Sequence, residues 1–275
     1  MVREHLWAAG LAASSGLCGL LPDRPRYAFA SAVGRAAGGF FPSKRDAVEK
    51  NLSVINAFAG RSFKVDDVYR NFGITLSDFL GGRDVPIRVE GRERAEAARA
   101  RGHGVLVLTS HLGNWELGGR ILAQWGWPVT AVFQPYRSRA MQGFIQKRRA
   151  ASLHYLAVGR GAAHGVGKVL KSRGAAVMLA DRPYGEDGAS VTLCGRPARL
   201  PRGPFLFACR FNAPVIPGFV VMDRPGQYRA VVEEPLWPEG PGAVKNLMDK
   251  MALVLEKYVT QYADQWYCFE PVWDS

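Results

Sequence analysis

The residues most able to do chemistry lie in one short stretch, Gly104 to Arg120, which reads GVLVLTSHLGNWELGGR. Four residues separate His111 from Glu116, Asn114 and Trp115 among them. An imidazole and a carboxylate held on one loop make a general base with an orienting partner. The carboxylate fixes the tautomer and stabilises the imidazolium formed when the ring takes a proton. The competing reading is a histidine that only caps or packs a loop. A second polar pair, Asp181-Arg182, closes another apolar run, Ala175 to Ala180. If the two runs are neighbouring parallel strands, that pair faces the same crevice as His111. Otherwise Asp181 caps the next turn.

The elements around His111 follow from its flanks. Val105 to Thr109 is a short Val/Leu run, the pattern of a buried strand. Asn114 is a favourable helix N-cap, and Leu117, Ile121 and Leu122 continue at helical spacing. The stretch therefore reads strand, tight loop, helix, with His111 past the strand's C-terminal end, where open α/β sheets bind ligands. Glu116 falls in the first helical turn, where the macrodipole favours its ionised form.

Apolar runs and helical periodicities alternate along the rest of the chain. Val65 to Leu80 is an amphipathic helix stopped by Gly81-Gly82, and Ala243 to Tyr262 is a long one. Strands are expected at Ile87 to Glu90, Pro128 to Phe133, Leu153 to Val158, Val191 to Leu193, Val215 to Met222 and Tyr228 to Glu233. A basic helix is expected from Arg137 to Arg149, and GRPARLPRG, Gly195 to Gly203, reads as a loop. The expected fold is α/β, a central mixed sheet flanked by helices.

The formal net charge of +12 implies a polyanionic partner: nucleic acid, an anionic membrane surface, or an acidic protein or phosphorylated substrate. Cys18, Cys194, Cys209 and Cys268 form no CxxC pair and no zinc spacing, so no metal is expected and the thiols read as reduced. GAAHGVGKVL lacks the spacing and the Ser/Thr of a phosphate-binding loop. From Leu6 to Pro22 no charged residue appears; as a helix this span would reach only ~25 Å, short of a ~30 Å hydrocarbon core. It lacks a clear signal-peptide pattern, and Arg26 and Arg35 make a return pass costly, so a helix lying on the membrane surface or against the domain fits best. Residues 1–42 are accordingly expected to be an apolar, membrane-associating helical segment, and 43–275 the main domain.

With these residues in view, the chain resembles the bacterial lipid A biosynthesis acyltransferases, the lauroyl and myristoyl transferases, and their phosphatidylinositol mannoside relatives. The resemblance rests on HLGNWE (His111 to Glu116), on MLADRPYGEDGASVTLCGRPARLPRGPFLFA and on the aromatic tail DQWYCFEPVW. It implies a glycerophosphate-acyltransferase-like fold and a catalytic pair of His111 and Glu116. His111 would deprotonate a lipid hydroxyl, which attacks the thioester of an acyl carrier protein or CoA donor, with no other cofactor. Asn114, Arg148, Asp181 and Arg182 are the implied substrate-binding residues, and Arg196, Arg199 and Arg202 are candidates for a basic rim. The resemblance places the protein at the cytoplasmic face of a bacterial inner membrane, peripheral or monotopic, with membrane lipids as partners.

Two other classes compete. A thioesterase or esterase would use the same pair on water, although no G-x-S-x-G elbow is present. A nucleic-acid-binding module has only the charge in its favour, with no RNP motif, helix-turn-helix signal or zinc ligands. Nucleic acid is not an expected partner, and the acceptor, the chain length and the oligomeric state are not legible.

Overall fold

The computed structural model describes residues 14, 16, 18–82, 84–136, 138–149, 153–159, 161–183, 185 and 187–273. The expected apolar stretch before Ser14, and Arg137, the first residue of the expected basic helix, lie outside these residues. Helices α1 (Asp23–Phe40), α2 (Pro42–Ala59) and α3 (Val65–Gly81) come before the first strand. An alternating part follows: β1 (Ile87–Glu90), α4 (Arg92–Ala100), β2 (Val105–Thr109), α5 (Trp115–Gln124), β3 (Val129–Phe133), α6 (Arg139–Arg148), β4 (His154–Ala157), α7 (Ala162–Lys171) and β5 (Ala175–Leu179). A hairpin, β6 (Gly188–Leu193) and β7 (Arg196–Pro201), precedes α8 (Gly203–Phe211), β8 (Val215–Arg224), β9 (Gln227–Val232) and α9 (Ala243–Gln261).

Seven strands form one sheet in the order β1-β9-β8-β2-β5-β3-β4. All neighbours run parallel except β8 and β9, so the sheet is mixed, as expected. Strand β2 lies near the middle and is buried along its whole length, which is why its sequence is a continuous apolar run rather than an alternating one. Its side chains still divide by face. Leu106 and Leu108 pack with α2, α7, α8, α9 and the hairpin, while Val105 and Val107 pack with α4, Leu122 and Trp127.

The GRPARLPRG segment is not a loop. Arg196–Pro201 pairs antiparallel with Gly188–Leu193 across a two-residue turn at Cys194 and Gly195, both with positive φ, the backbone twist that hairpins favour. Its prolines are tolerated because each lies in a two-stranded ribbon with a free edge.

Helix α1 packs on α3 through its small residues. A Cβ at Gly34 would run into the Tyr69 carbonyl, and one at Gly73 into that of Ala30. The same face buries Arg26, whereas Phe29, Val33 and Phe40 point outward and are exposed. No helix among the described residues is long and apolar enough to cross a membrane.

Candidate active site

His111 emerges two residues past the end of β2, and Asp181 two residues past the end of β5. These strands are parallel, with Thr109 opposite Leu179, so equal offsets bring the two side chains side by side. The Asp181 carboxylate is wholly buried. It accepts the His111 backbone N–H at 3.0 Å, faces His111 Nδ1 at 3.0 Å and accepts the Trp266 indole N–H at 3.0 Å. Burial pushes the carboxyl up, but the imidazole charge and these donors outweigh that and hold Asp181 down at about 2. Asp181 is thus an anion throughout the working range. It holds the proton on Nδ1 and leaves Nε2 as the nitrogen that can accept one.

The loop carrying His111 is fixed from several sides. Gly113 has φ +60 and a Cβ there would overlap the Val220 carbonyl, so glycine is required. Its N–H donates to the Gln265 carbonyl at 2.9 Å, and the His111 carbonyl accepts the Tyr267 N–H at 2.7 Å. Gln265 is itself clamped to both backbone groups of Met222. The aromatic tail therefore forms one wall of the site: Trp266 reaches Asp181, and Tyr267 bonds the backbone of His111.

Glu116 does not orient His111. Helix α5 begins at Trp115, whose ring meets the His111 ring edge-on with centroids 5.2 Å apart. One residue further is rotated by about 100° around the helix, which aims Glu116 toward Arg149. The two form a side-on pair, Nε to Oε2 at 3.0 Å and Nη2 to Oε1 at 2.8 Å. The Arg149 guanidinium lies over Phe133 and Tyr155. Burial works to lower its pKa, but the Glu116 carboxylate more than reverses this and raises it. Its Nη1 is buried and has no hydrogen-bond partner among the described residues.

Three other expectations are corrected by position. Asn114 is buried, makes no side-chain cap, and directs Nδ2 at the Thr75 carbonyl at 3.5 Å, so it faces the interior rather than a substrate. Arg148 is exposed, with its guanidinium over Phe144. The inward arginine is Arg149, because α6 ends at Arg148 and the next residue turns extended. Arg182 points away from Asp181 to Glu270, at 3.2 Å. Of the basic rim, Arg199 bonds the Gly188 carbonyl within its own hairpin.

An apolar pocket of about 60 Å³, lined by Thr109 and Trp115 among others, lies between α5 and the sheet. Gly118 and Gly119 leave space on the helix side, and Val89, Val107, Val177 and Gly218 line the sheet side. Its lining residues come from five adjacent strands, β5 to β1. Among the described residues no cluster of His, Cys, Asp or Glu could hold a metal ion.

The model of the bacterial lipid A biosynthesis acyltransferase family matches residues 3–275. The chain belongs to that family. Among curated relatives it is 23% identical over 189 residues to a phosphatidylinositol mannoside acyltransferase of Mycobacterium tuberculosis, covering 67% of this chain and 59% of the relative. It is 25% identical over 168 residues to the lipid A biosynthesis palmitoleoyltransferase of Escherichia coli, covering 58% and 54%. The matches thus span somewhat more than half the length of these relatives. Among solved structures, a 1-acyl-sn-glycerophosphate acyltransferase from Thermotoga maritima aligns over 84% of this chain and 98% of its own, with 13% identity and a TM-score of 0.39. Within this lipid A acyltransferase family member, Trp266 and Arg149 are the site residues that sequence reasoning missed. The tail's Trp-rich pattern was visible, but its partner was not.

Proposed function

We propose that the protein transfers a fatty acyl chain from an acyl thioester, carried by acyl carrier protein or CoA, to a hydroxyl of a lipid acceptor. The observation that carries this reading is the buried Asp181 carboxylate on His111 Nδ1, with Trp115, whose ring meets His111, lining an apolar pocket. In the proposed step the acceptor hydroxyl gives its proton to His111 Nε2 as its oxygen attacks the thioester carbonyl. The tetrahedral oxyanion collapses, the C–S bond breaks, and the thiolate takes the proton from the imidazolium. General-base assistance supplies about 100- to 10,000-fold. The Arg149 guanidinium, held by Glu116, is the cation that faces the developing negative charge or an anionic group of the substrate. The pocket under α5 receives the acyl chain.

Membrane association belongs to the same reading. Phe29, Val33, Phe40 and Phe41 are exposed along α1 and its junction with α2, and the net charge of +12 suits anionic lipid. Lipid A precursors, phosphatidylinositol mannosides and lysophospholipids are the acceptor classes that the family and its relatives bring forward.

The test is product identity. Purified protein is incubated with acyl donors labelled in the acyl chain, as carrier-protein and as CoA thioesters, and with candidate acceptor lipids. The proposal expects label in an acceptor heavier by one acyl chain. Free fatty acid as the sole product would replace it with a thioesterase using the same pair on water.

A further inference from the structure

A second buried charge cluster lies behind the active-site loop, and the mechanism above does not use it. Asp78 on α3 is wholly buried. One carboxylate oxygen accepts the Tyr27 hydroxyl from α1 at 2.9 Å and lies 3.2 Å from Arg26 Nη2. The other accepts the Tyr228 hydroxyl from β9 at 2.6 Å. Arg26 is only 1% exposed, and its Nε and Nη1 have no hydrogen-bond partner among the described residues. Burial raises the Asp78 carboxyl, and the two hydroxyls and Arg26 offset that only in part. An ion pair this dry is not an efficient source of stability, because well-packed apolar side chains would do as well or better. Its geometry suggests what it does instead.

Tyr228 does more than satisfy Asp78. It ties α3 to the sheet, and three residues before Asp78 on that helix the Thr75 carbonyl faces Asn114 Nδ2 at 3.5 Å. Asn114 also donates its backbone N–H to the Val220 carbonyl at 2.8 Å and accepts the Leu117 N–H at 3.1 Å. It is therefore the joint between the His111 loop and α5. A second branch leaves the same helix: the Thr75 hydroxyl lies 3.0 Å from the Tyr267 hydroxyl, and the Tyr267 N–H holds the His111 carbonyl. Helix α3 thus grips the loop at His111 and at Asn114.

From this arrangement we infer that Asp78 and Tyr228 are positioning residues for His111, and that α1 completes the active site by supplying Arg26 as the counter-charge of Asp78. The N-terminal helix is then a working part of the catalytic unit. A general base must sit within a few tenths of an ångström of its productive place, and a misplacement of ~1 Å can cost about 100-fold. This inference rests on the acyl-transfer reading for its kinetic readout but not for its structural one.

The test is Tyr228→Phe, which removes one hydroxyl and keeps the ring, read by kinetics and by hydrogen exchange of the Ser110 to Trp115 amides. The expected result is a kcat roughly tenfold lower or less, a donor KM within about twofold of wild type, and faster exchange confined to that loop. Arg26→Met, made as a folded protein, should accelerate exchange in the same loop although it lies on another helix. A Tyr228→Phe protein with wild-type kcat and unchanged loop exchange would overturn the inference. So would faster exchange spread evenly over the sheet, which marks a purely structural role. If the wild type transfers no acyl group, the acyl-transfer reading fails, while loop exchange still decides the positioning claim.

Discussion

Asp181→Asn changes one atom and separates the two carboxylates near His111. In the wild type, three donors converge on the Asp181 oxygens: the His111 N–H, the His111 Nδ1–H and the Trp266 indole N–H. An asparagine offers one oxygen, and its amide must aim a donor at one of those three. The backbone N–H and the indole cannot invert, whereas the imidazole can change tautomer. The ring therefore answers by placing its proton on Nε2, which leaves no acceptor for the substrate hydroxyl. The same change in serine-protease triads costs about 10,000-fold in kcat, so a loss of about 1,000- to 10,000-fold, or ~4–5.5 kcal/mol of barrier, is expected. Glu116→Gln leaves the His111 tautomer alone and weakens only the clamp on Arg149, so its loss is expected to be smaller. The assay is steady-state acyl transfer with both variants checked for folding. Near-normal kcat in Asp181→Asn together with abolished transfer in Glu116→Gln would refute the assignment and restore Glu116 as the orienting group.

Two further outcomes follow from the same geometry. Because Asp181 sits at about 2 when folded against an ordinary 3.8, its ionised form stabilises the fold above pH ~4 by roughly 2 kcal/mol, and that contribution is lost as pH falls through about 2; the stability deficit of Asp181→Asn in denaturant titrations should therefore be largest near neutral pH and shrink below pH ~4. A Cβ at Gly118 meets Val220 Cγ2 at an ordinary 3.6 Å, so Gly118→Leu should fold, fill the pocket under α5 and shift donor preference to shorter chains, with roughly tenfold or greater loss in kcat/KM for the longest; an unchanged chain-length profile would place the acyl chain elsewhere.

How much of this was readable in the sequence depends on how far each partner lies along the chain. The strand before His111, the helix after it and the α/β alternation are local patterns, and the sheet contains them. The partner of His111 is not local. Asp181 could be proposed as a neighbour only by assuming that β2 and β5 pair, since nothing in either run specifies register. Glu116 was the attractive choice because it is close in sequence, yet one helical residue swings it to Arg149. Arg148 and Arg149 differ by a single position at a helix end, where the turn inward is decided by backbone geometry. Asn114 looked like a surface cap and is instead an interior joint, its side chain directed at the Thr75 carbonyl. The Gly195–Gly203 segment hid its strand because proline and glycine usually mark loops, and only a free edge and a positive-φ turn make them compatible with a hairpin.

The central claim is that His111, held by Asp181, takes the proton from a lipid hydroxyl. The measurement that tests it most directly is the labelled-donor assay run with His111→Ala beside the wild type, using protein shown to be folded. The account predicts acylated lipid from the wild type and a fall of at least about 100-fold in the variant. Acylated lipid formed by His111→Ala at the wild-type rate would contradict it.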